Sequence, residues 1–290
     1  MGYIRQMKLG VTNMQIEYKD VCCAINNLKI RMCAKDVYYT NFLGNRSTYN
    51  NCIWIDIVCK DKAVLATYYM NENVKKLIYF SYDIEQLNEL LREVSNDILV
   101  ELVCKNENPI HNVFLESGFS CLGPLIRKSI NLDVDGKEFR CSAKDELEPY
   151  YAPEFGEIAK ISDAGEIHDL LDRVFDYRID DIPSVEQLRE FIINQWVLLY
   201  RKNGVIRTLY IYQVKGKRFF SNYSYNTLPA IALYCLEKRA HEYVINNYDV
   251  KVKYSWINIE NVKSLRRNTS NIDGIYRYVY VKEKDKFKTV

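Results

Sequence analysis

Apolar and polar residues change rhythm several times along the chain, and each change predicts an element. Residues 196–202 and 205–214 are Val-, Leu-, Ile- and Tyr-rich runs on either side of Asn203-Gly204. Asn-Gly between two such runs is the strongest short signal for a tight hairpin. A turn at Lys215-Gly216-Lys217 leads into residues 218–226 and completes a predicted three-stranded meander. The period then lengthens. Across residues 229–247, Ile231, Leu233, Leu236, Ala240, Tyr243 and Val244 recur at helical spacing, and Pro229 falls near the first turn, where a helix tolerates it. Residues 250–259 read as a strand, 260–267 as a short helix and 275–282 as a last strand. Helical segments near 164–175 and 185–194 precede the meander.

The first half lies on the same template. Residues 52–60 and 63–70 flank a turn at Asp61-Lys62, 74–81 form a third strand, and 84–94 have helical periodicity. Residues 98–104 are then a strand, 109–117 a short helix, and 121–132 a strand pair broken by Gly123-Pro124. Trp196 follows Trp54 by 142 residues and Asn261 follows Asn108 by 153. A first-half helix two turns shorter accounts for the difference. At 290 residues the chain is about twice the usual length of one domain. The expectation is an α/β chain of two tandem domains, residues 1–140 and 141–290, each a mixed, mostly antiparallel sheet flanked by helices. Residues 133–156, with their charges, Pro149, Pro153 and several Tyr, read as an ordered linker or edge strand that holds the boundary.

Composition narrows the function classes. Lys plus Arg total 40 against 38 for Asp plus Glu, a net charge of +2, which calls for neither nucleic acid nor an anionic membrane. No run approaches the roughly 20 apolar residues that span a bilayer, and the first residues lack the apolar core of a secretion signal. The nine cysteines show no disulfide spacing, so they read as reduced thiols of a cytoplasmic protein. His111, His168 and His241 are too scattered for a metal site, and no zinc-ligand spacing, Walker loop, Rossmann fingerprint or GxSxG occurs.

The string NPIHNVFLESGF, residues 108–119, follows the strand at 98–104 and has a degenerate echo after the equivalent strand at Asn261. With the element order, it resembles the GCN5-related N-acetyltransferase superfamily, whose helix after the fifth strand reads like N-x-x-A-x-x-L-Y-x-x-x-G-F. Asn108, His111, Phe114, Gly118 and Phe119 fall on or near that pattern, with the segment one residue short.

The resemblance implies a slot between two splayed parallel strands, residues 218–226 and 250–259, in which the pantetheine arm of acetyl-CoA or another acyl-CoA adds like a strand. Asn222, Ser224 and Asn261 would line it. The family's pyrophosphate turn, Q/R-x-x-G-x-G/A, falls on Thr227 to Ala232, where Ala230 replaces a glycine, Ile231 follows, Ala232 satisfies the last place and Pro229 removes a donor. Three outcomes stay open: the helix start still accepts phosphate, with Lys215, Lys217 and Arg218 in support; the acyl group arrives on an acyl carrier protein; or the pocket is dead. The matching first-half turn, Ser81 to Glu85, has no glycine and carries two carboxylates, which repel phosphate. That copy reads as structural or acceptor-binding.

For transfer to an amine-bearing small molecule or peptide, the family's usual Tyr acid is missing from both short helices. Tyr223 and Tyr225 on the slot strand, or Tyr254, stand in as acids, or solvent protonates the departing thiolate, and Glu260 is the general-base candidate by position. Glu107 occupies the same place before Asn108, which makes capping an equal role for Glu260. Strand tyrosines are more often packed than catalytic. Two other readings compete with an acyltransferase, monomer or dimer: a non-catalytic scaffold built on decayed copies of the fold, and a transferase that uses aminoacyl-tRNA.

Overall fold

The computed structural model describes residues 15–44, 49, 52–71, 74–106, 108–132, 155–262, 265 and 271–283. Most of the 133–156 segment and half of the short helix expected at 260–267 lie outside them. The chain does not part at one point. One compact unit takes in the chain to Leu102, Asn108–Leu122 and the chain from Val279; the other takes in Val103–Glu107 and Gly123–Tyr278.

The first unit begins with a helix, α1 (Tyr18–Arg31), which buries Val21, Ile25 and Leu28, residues spaced so that they share one helical face. A two-residue strand, β1 (Tyr39–Thr40), follows. The antiparallel meander β2 (Ile53–Cys59), β3 (Ala63–Asn71) and β4 (Val74–Ser81) turns where the sequence predicts. Helix α2 (Ile84–Glu93) buries Leu87, Leu90 and Leu91 and leads to β5 (Ile98–Lys105), parallel to β4. A short helix, α3 (His111–Glu116), and a two-residue strand, β6 (Ser120–Cys121), complete this stretch.

Strand β7 (Leu125–Asn131) belongs to the second unit, with β8 (Glu157–Ile158), helices α4 (Ala164–Val174) and α5 (Val185–Ile193), and the meander β9 (Val197–Lys202), β10 (Val205–Lys215) and β11 (Arg218–Asn226). Helix α6 (Ala230–Asn247), β12 (Val252–Asn258) and β13 (Ile272–Lys282) follow. The strand order is β13-β7-β12-β11-β10-β9-β8. Period-two alternation sorts the meander onto two cores. Val197, Leu199, Leu209 and Ile211 pack with α4 and α5, while Leu198, Tyr210, Tyr212 and Phe219 pack with α6. Each fully buried Leu or Ile on these faces contributes about 1.5–3 kcal/mol.

The halves exchange strands. From the first half, β7 pairs antiparallel with β12 along its whole length, Leu125 opposite Asn258 through Asn131 opposite Val252. The N-terminal part of β13 lies on the other side of β7. In the first unit, where the order is β2-β3-β4-β5-β13, the C-terminal part of β13 pairs with β6, Tyr280 opposite Cys121 and Val281 opposite Ser120. Gly123, at φ +114°, makes the turn between β6 and β7 that no β-branched residue would adopt.

Tyr280 explains what the 108–119 string does. Its ring stacks on Phe114 at 4.4 Å, and its hydroxyl accepts a 2.7 Å bond from the Asn108 carboxamide and lies 2.9 Å from His111 Nδ1. Asn108 Oδ1 accepts the Ile110 N–H, which starts α3. Asn108, Phe114 and Tyr280 are all buried. Tyr280→Phe should therefore leave Asn108 and His111 without this partner and cost about 1–3 kcal/mol in urea unfolding. A loss below about 0.5 kcal/mol would show that the hydroxyl holds nothing.

Candidate functional site

Strands β11 and β12 run parallel and pair only from Arg218–Val252 to Ser221–Ser255. Beyond that point β11 stays on β10 as far as Asn226, and β12 stays on β7 as far as Asn258. Their facing edges therefore part and leave backbone groups turned into a gap. Among the described residues no strand enters it. The parting coincides with a bulge: Tyr212 lies opposite Ser221 and Ile211 opposite Tyr223, so Asn222 is the extra residue on β11. A bulge leaves its residue outside the ladder and re-aims the remainder of its strand.

Re-aimed in this way, Tyr223 and Tyr225 reach the face of α4 and α5. Tyr223 meets Phe175 edge-on at 5.4 Å, and its hydroxyl donates to the Asp181 carbonyl in the loop between those helices. Burial, then Asp181 and Asp180, push its phenol well above the usual range. That loop also brings Asp176 and Arg178 together, sets the Asp181 carboxylate 3.2 Å from Arg277 of β13, and half-buries Asp180. Burial raises the Asp180 carboxyl above its ordinary value against the pull of the Asp176 N–H and Arg277. A groove of about 290 Å³ opens beside Tyr225 between α4 and the start of β10. Asn222 and Ser224 are exposed. Tyr254 is engaged elsewhere, under the Arg127 guanidinium at 4.4 Å, and Arg127 pairs with Asp273.

The turn into α6 is organised by Asn226. Its carboxamide accepts from the Thr208 hydroxyl and the Leu228 N–H, and donates to the Leu228 and Pro229 carbonyls. The Thr227 N–H bonds the Arg207 carbonyl, so Arg207 stands at this turn. Pro229 is the N-cap, and the first turn carries no acidic residue. Ala232 is fully buried and its N–H already bonds the Pro229 carbonyl, which leaves Ala230 and Ile231 as the residues whose N–H groups begin the helix. Lys215, Lys217 and Arg218 cannot reach an anion there. They lie at the far end of β11, roughly 26 Å away at about 3.3 Å per residue, and Lys217 pairs with Asp249.

Glu260 and Asn261 sit at the exit of β12, both exposed. The Glu260 N–H bonds Asn258 Oδ1, and the Asn261 carbonyl accepts the Leu265 N–H. The structure thus brings Tyr223 and Tyr225 together on one face and leaves Glu260 with Asn261 at the end of the other strand. Glu107 lies outside the described residues. Sequence reasoning missed Asp180, Asp181, Arg207 and Asn226; only Asn226 carries a local signal, an Asn opening the turn between a strand and a helix.

On the α6 face of β12, Lys253 is buried over the rings of Phe219 and Tyr210, at 5.0 and 5.9 Å from their centroids. Burial holds its ammonium below the usual lysine range, and Glu237 opposes that shift. Burial lowers neighbouring Lys128 of β7 as well, helped by Lys253.

No protein-family model matches the chain, and no curated protein matches it. Among solved structures it is similar to a GCN5-related N-acetyltransferase from Sphaerobacter thermophilus, at 11% identity and a TM-score of 0.50, covering 77% of this chain and 78% of that one. A tandem GNAT protein from the clavulanic acid biosynthesis pathway gives 11% identity and a TM-score of 0.43 over 76% and 78% of the two chains. A GCN5-related N-acetyltransferase from Kribbella flavida gives 10% and 0.44 over 78% and 88%. Identities this low speak to fold alone. No helix among the described residues is long and apolar enough to cross a membrane.

Lys253→Met should raise the urea midpoint at pH 7. The folded chain alone bears the cost of burying the ammonium, so the cost is full while both states are charged, falls once pH passes the lowered folded-state value, and is gone above about 10.5, where the unfolded lysine is neutral too. The gain should shrink between pH 7 and that value. A lower midpoint at pH 7 would show that Glu237 and the two rings more than offset the burial.

Proposed function

We propose, for a chain with the fold of the GCN5-related N-acetyltransferases, that the second unit is an N-acyltransferase. It takes acetyl-CoA, another acyl-CoA or an acyl group on a carrier protein, and passes the acyl group to an amine. The observation that carries this reading is the parting of β11 and β12 at the Asn222 bulge, with no described strand in the gap. An extended pantetheine arm pairs along such an edge as an added strand does. On this reading a backbone N–H at the bulge polarises the thioester carbonyl, as oxyanion donors do.

The start of α6 suits the diphosphate. An 18-residue helix with no acid in its first turn presents partial positive charge there. Asn261, at the exit of β12, is the side chain for a pantetheine amide, and Glu260 beside it closes the slot. The amine approaches from the α4 and α5 face, where the groove beside Tyr225 and the Asp180 loop lie. Its nitrogen attacks the carbonyl carbon, the C–N bond forms, the C–S bond breaks and thiolate leaves. Asp180, whose raised carboxyl value suits proton acceptance nearer neutrality, takes the proton that the amine loses. Tyr223, which burial keeps protonated at neutral pH, turns its hydroxyl from the Asp181 carbonyl to return a proton to the thiolate.

Calorimetry on the full chain tests the reading. Acetyl-CoA should bind, and Ala230→Glu, at an exposed first-turn position, should weaken it by at least about tenfold while leaving the helix intact, because a carboxylate then occupies the helix N-terminus. Asp180→Asn should retain donor binding and lose transfer to amines. If neither acetyl-CoA nor an acyl group on a carrier protein binds, the scaffold reading stands instead.

A further inference from the structure

The first unit has the same parting of parallel strands, but its gap is occupied. Strands β4 and β5 pair at Lys76 and Leu99 and then separate. Asn41 lies between them. Its Nδ2 donates to the Leu77 carbonyl of β4 and the Glu101 carbonyl of β5, both at 3.0 Å, and its Oδ1 accepts the Tyr79 N–H at 2.7 Å. One side-chain amide thus serves both strands with all of its polar atoms. Strand β1 adds antiparallel to the freed edge of β4, Tyr39 opposite Ser81 and Thr40 opposite Phe80, and the Thr40 hydroxyl donates to the Tyr79 carbonyl at 2.7 Å. At the neighbouring N-terminus of α2, the Asp83 carboxylate accepts the Gln86 N–H at 3.1 Å and pairs with Lys62 at 3.4 Å. Helix α6 has neither device.

We infer that the first unit holds a second extended-amide site, already filled by the chain itself: residues 39–42 take the place of a pantetheine-like arm, and the Asp83 carboxylate takes the place of a phosphate. The native chain therefore has one thioester site, in the second unit. Emptied of Asn41, the first slot takes an uncharged extended amide such as pantetheine and still refuses CoA, because Asp83 holds the anion position. The count of one site rests on the function proposed above, whereas the filled slot rests on the first unit alone.

Amide hydrogen exchange of the full chain, read at Tyr79, separates the two. Asn41→Gly should speed exchange at Tyr79 by at least roughly tenfold. Saturating pantetheine should reverse most of that change in the variant and leave the native chain unaffected. CoA should not protect Tyr79 in Asn41→Gly but should do so in Asn41→Gly/Asp83→Ser, where serine keeps a helix cap without the charge. Should the glycine variant fail to fold, Asn41→Leu, which keeps much of the shape and loses both the donor to the two carbonyls and the acceptor for the Tyr79 N–H, should show the faster exchange. Unchanged Tyr79 exchange in these variants, or no protection by pantetheine in Asn41→Gly, overturns the inference. Neither outcome depends on acetyl-CoA binding at the second unit, which Ala230→Glu reports separately.

Discussion

A buried backbone N–H or C=O must find a partner, and two parallel strands that pair briefly and then diverge leave a row of them without one. Both units of this chain are built around that problem. In the second, β11 and β12 part at a bulge and the gap stays clear among the described residues. In the first, β4 and β5 part in the same way and Asn41 answers the exposed groups from inside the chain. The difference between the open gap and the filled one is one carboxamide and a two-residue strand.

The helix after each gap repeats the contrast in charge. Helix α2 begins on Asp83, which satisfies its own first turn, and α6 begins on Pro229 with no acid nearby. The acyl-handling reading of the second unit gains from the first, because the first shows what the same framework looks like when its own side chains supply the amide and the anion.

Most elements are legible in the sequence. The Asn203-Gly204 hairpin, the period of α6, the meander at 53–81 and the short helix after Asn108 all arise from local signals that the fold respects. Helix α1 was not, because Val21, Ile25 and Leu28 are spread among polar residues. The site was legible only as a strand and a helix start. The bulge at Asn222 depends on register against β10, the Arg207 carbonyl meets the α6 turn only through that register, and Asp181 meets Tyr223 from a loop some forty residues away in the chain. That Lys215, Lys217 and Arg218 lie at the wrong end follows from the strand at 218–226 itself, which puts them a strand's length from the helix start. The most recognisable string, 108–119, turned out to hold Tyr280 through Asn108 and Phe114, a long-range contact that no local pattern contains.

That contact also sets the order in which the protein can be made. Asn108 and Tyr280 are 172 residues apart, and β13 closes the first unit only after the entire second half has left the ribosome. Strand β7 is meanwhile synthesised before the sheet that it completes. The first half therefore emerges with an unfilled edge beside β5 and waits, and contacts of such sequence separation make for slow folding with sticky intermediates. A truncated chain that stopped at the midpoint would carry one strand too many for its own sheet and lack the one it needs, so neither half can complete its sheet without the other.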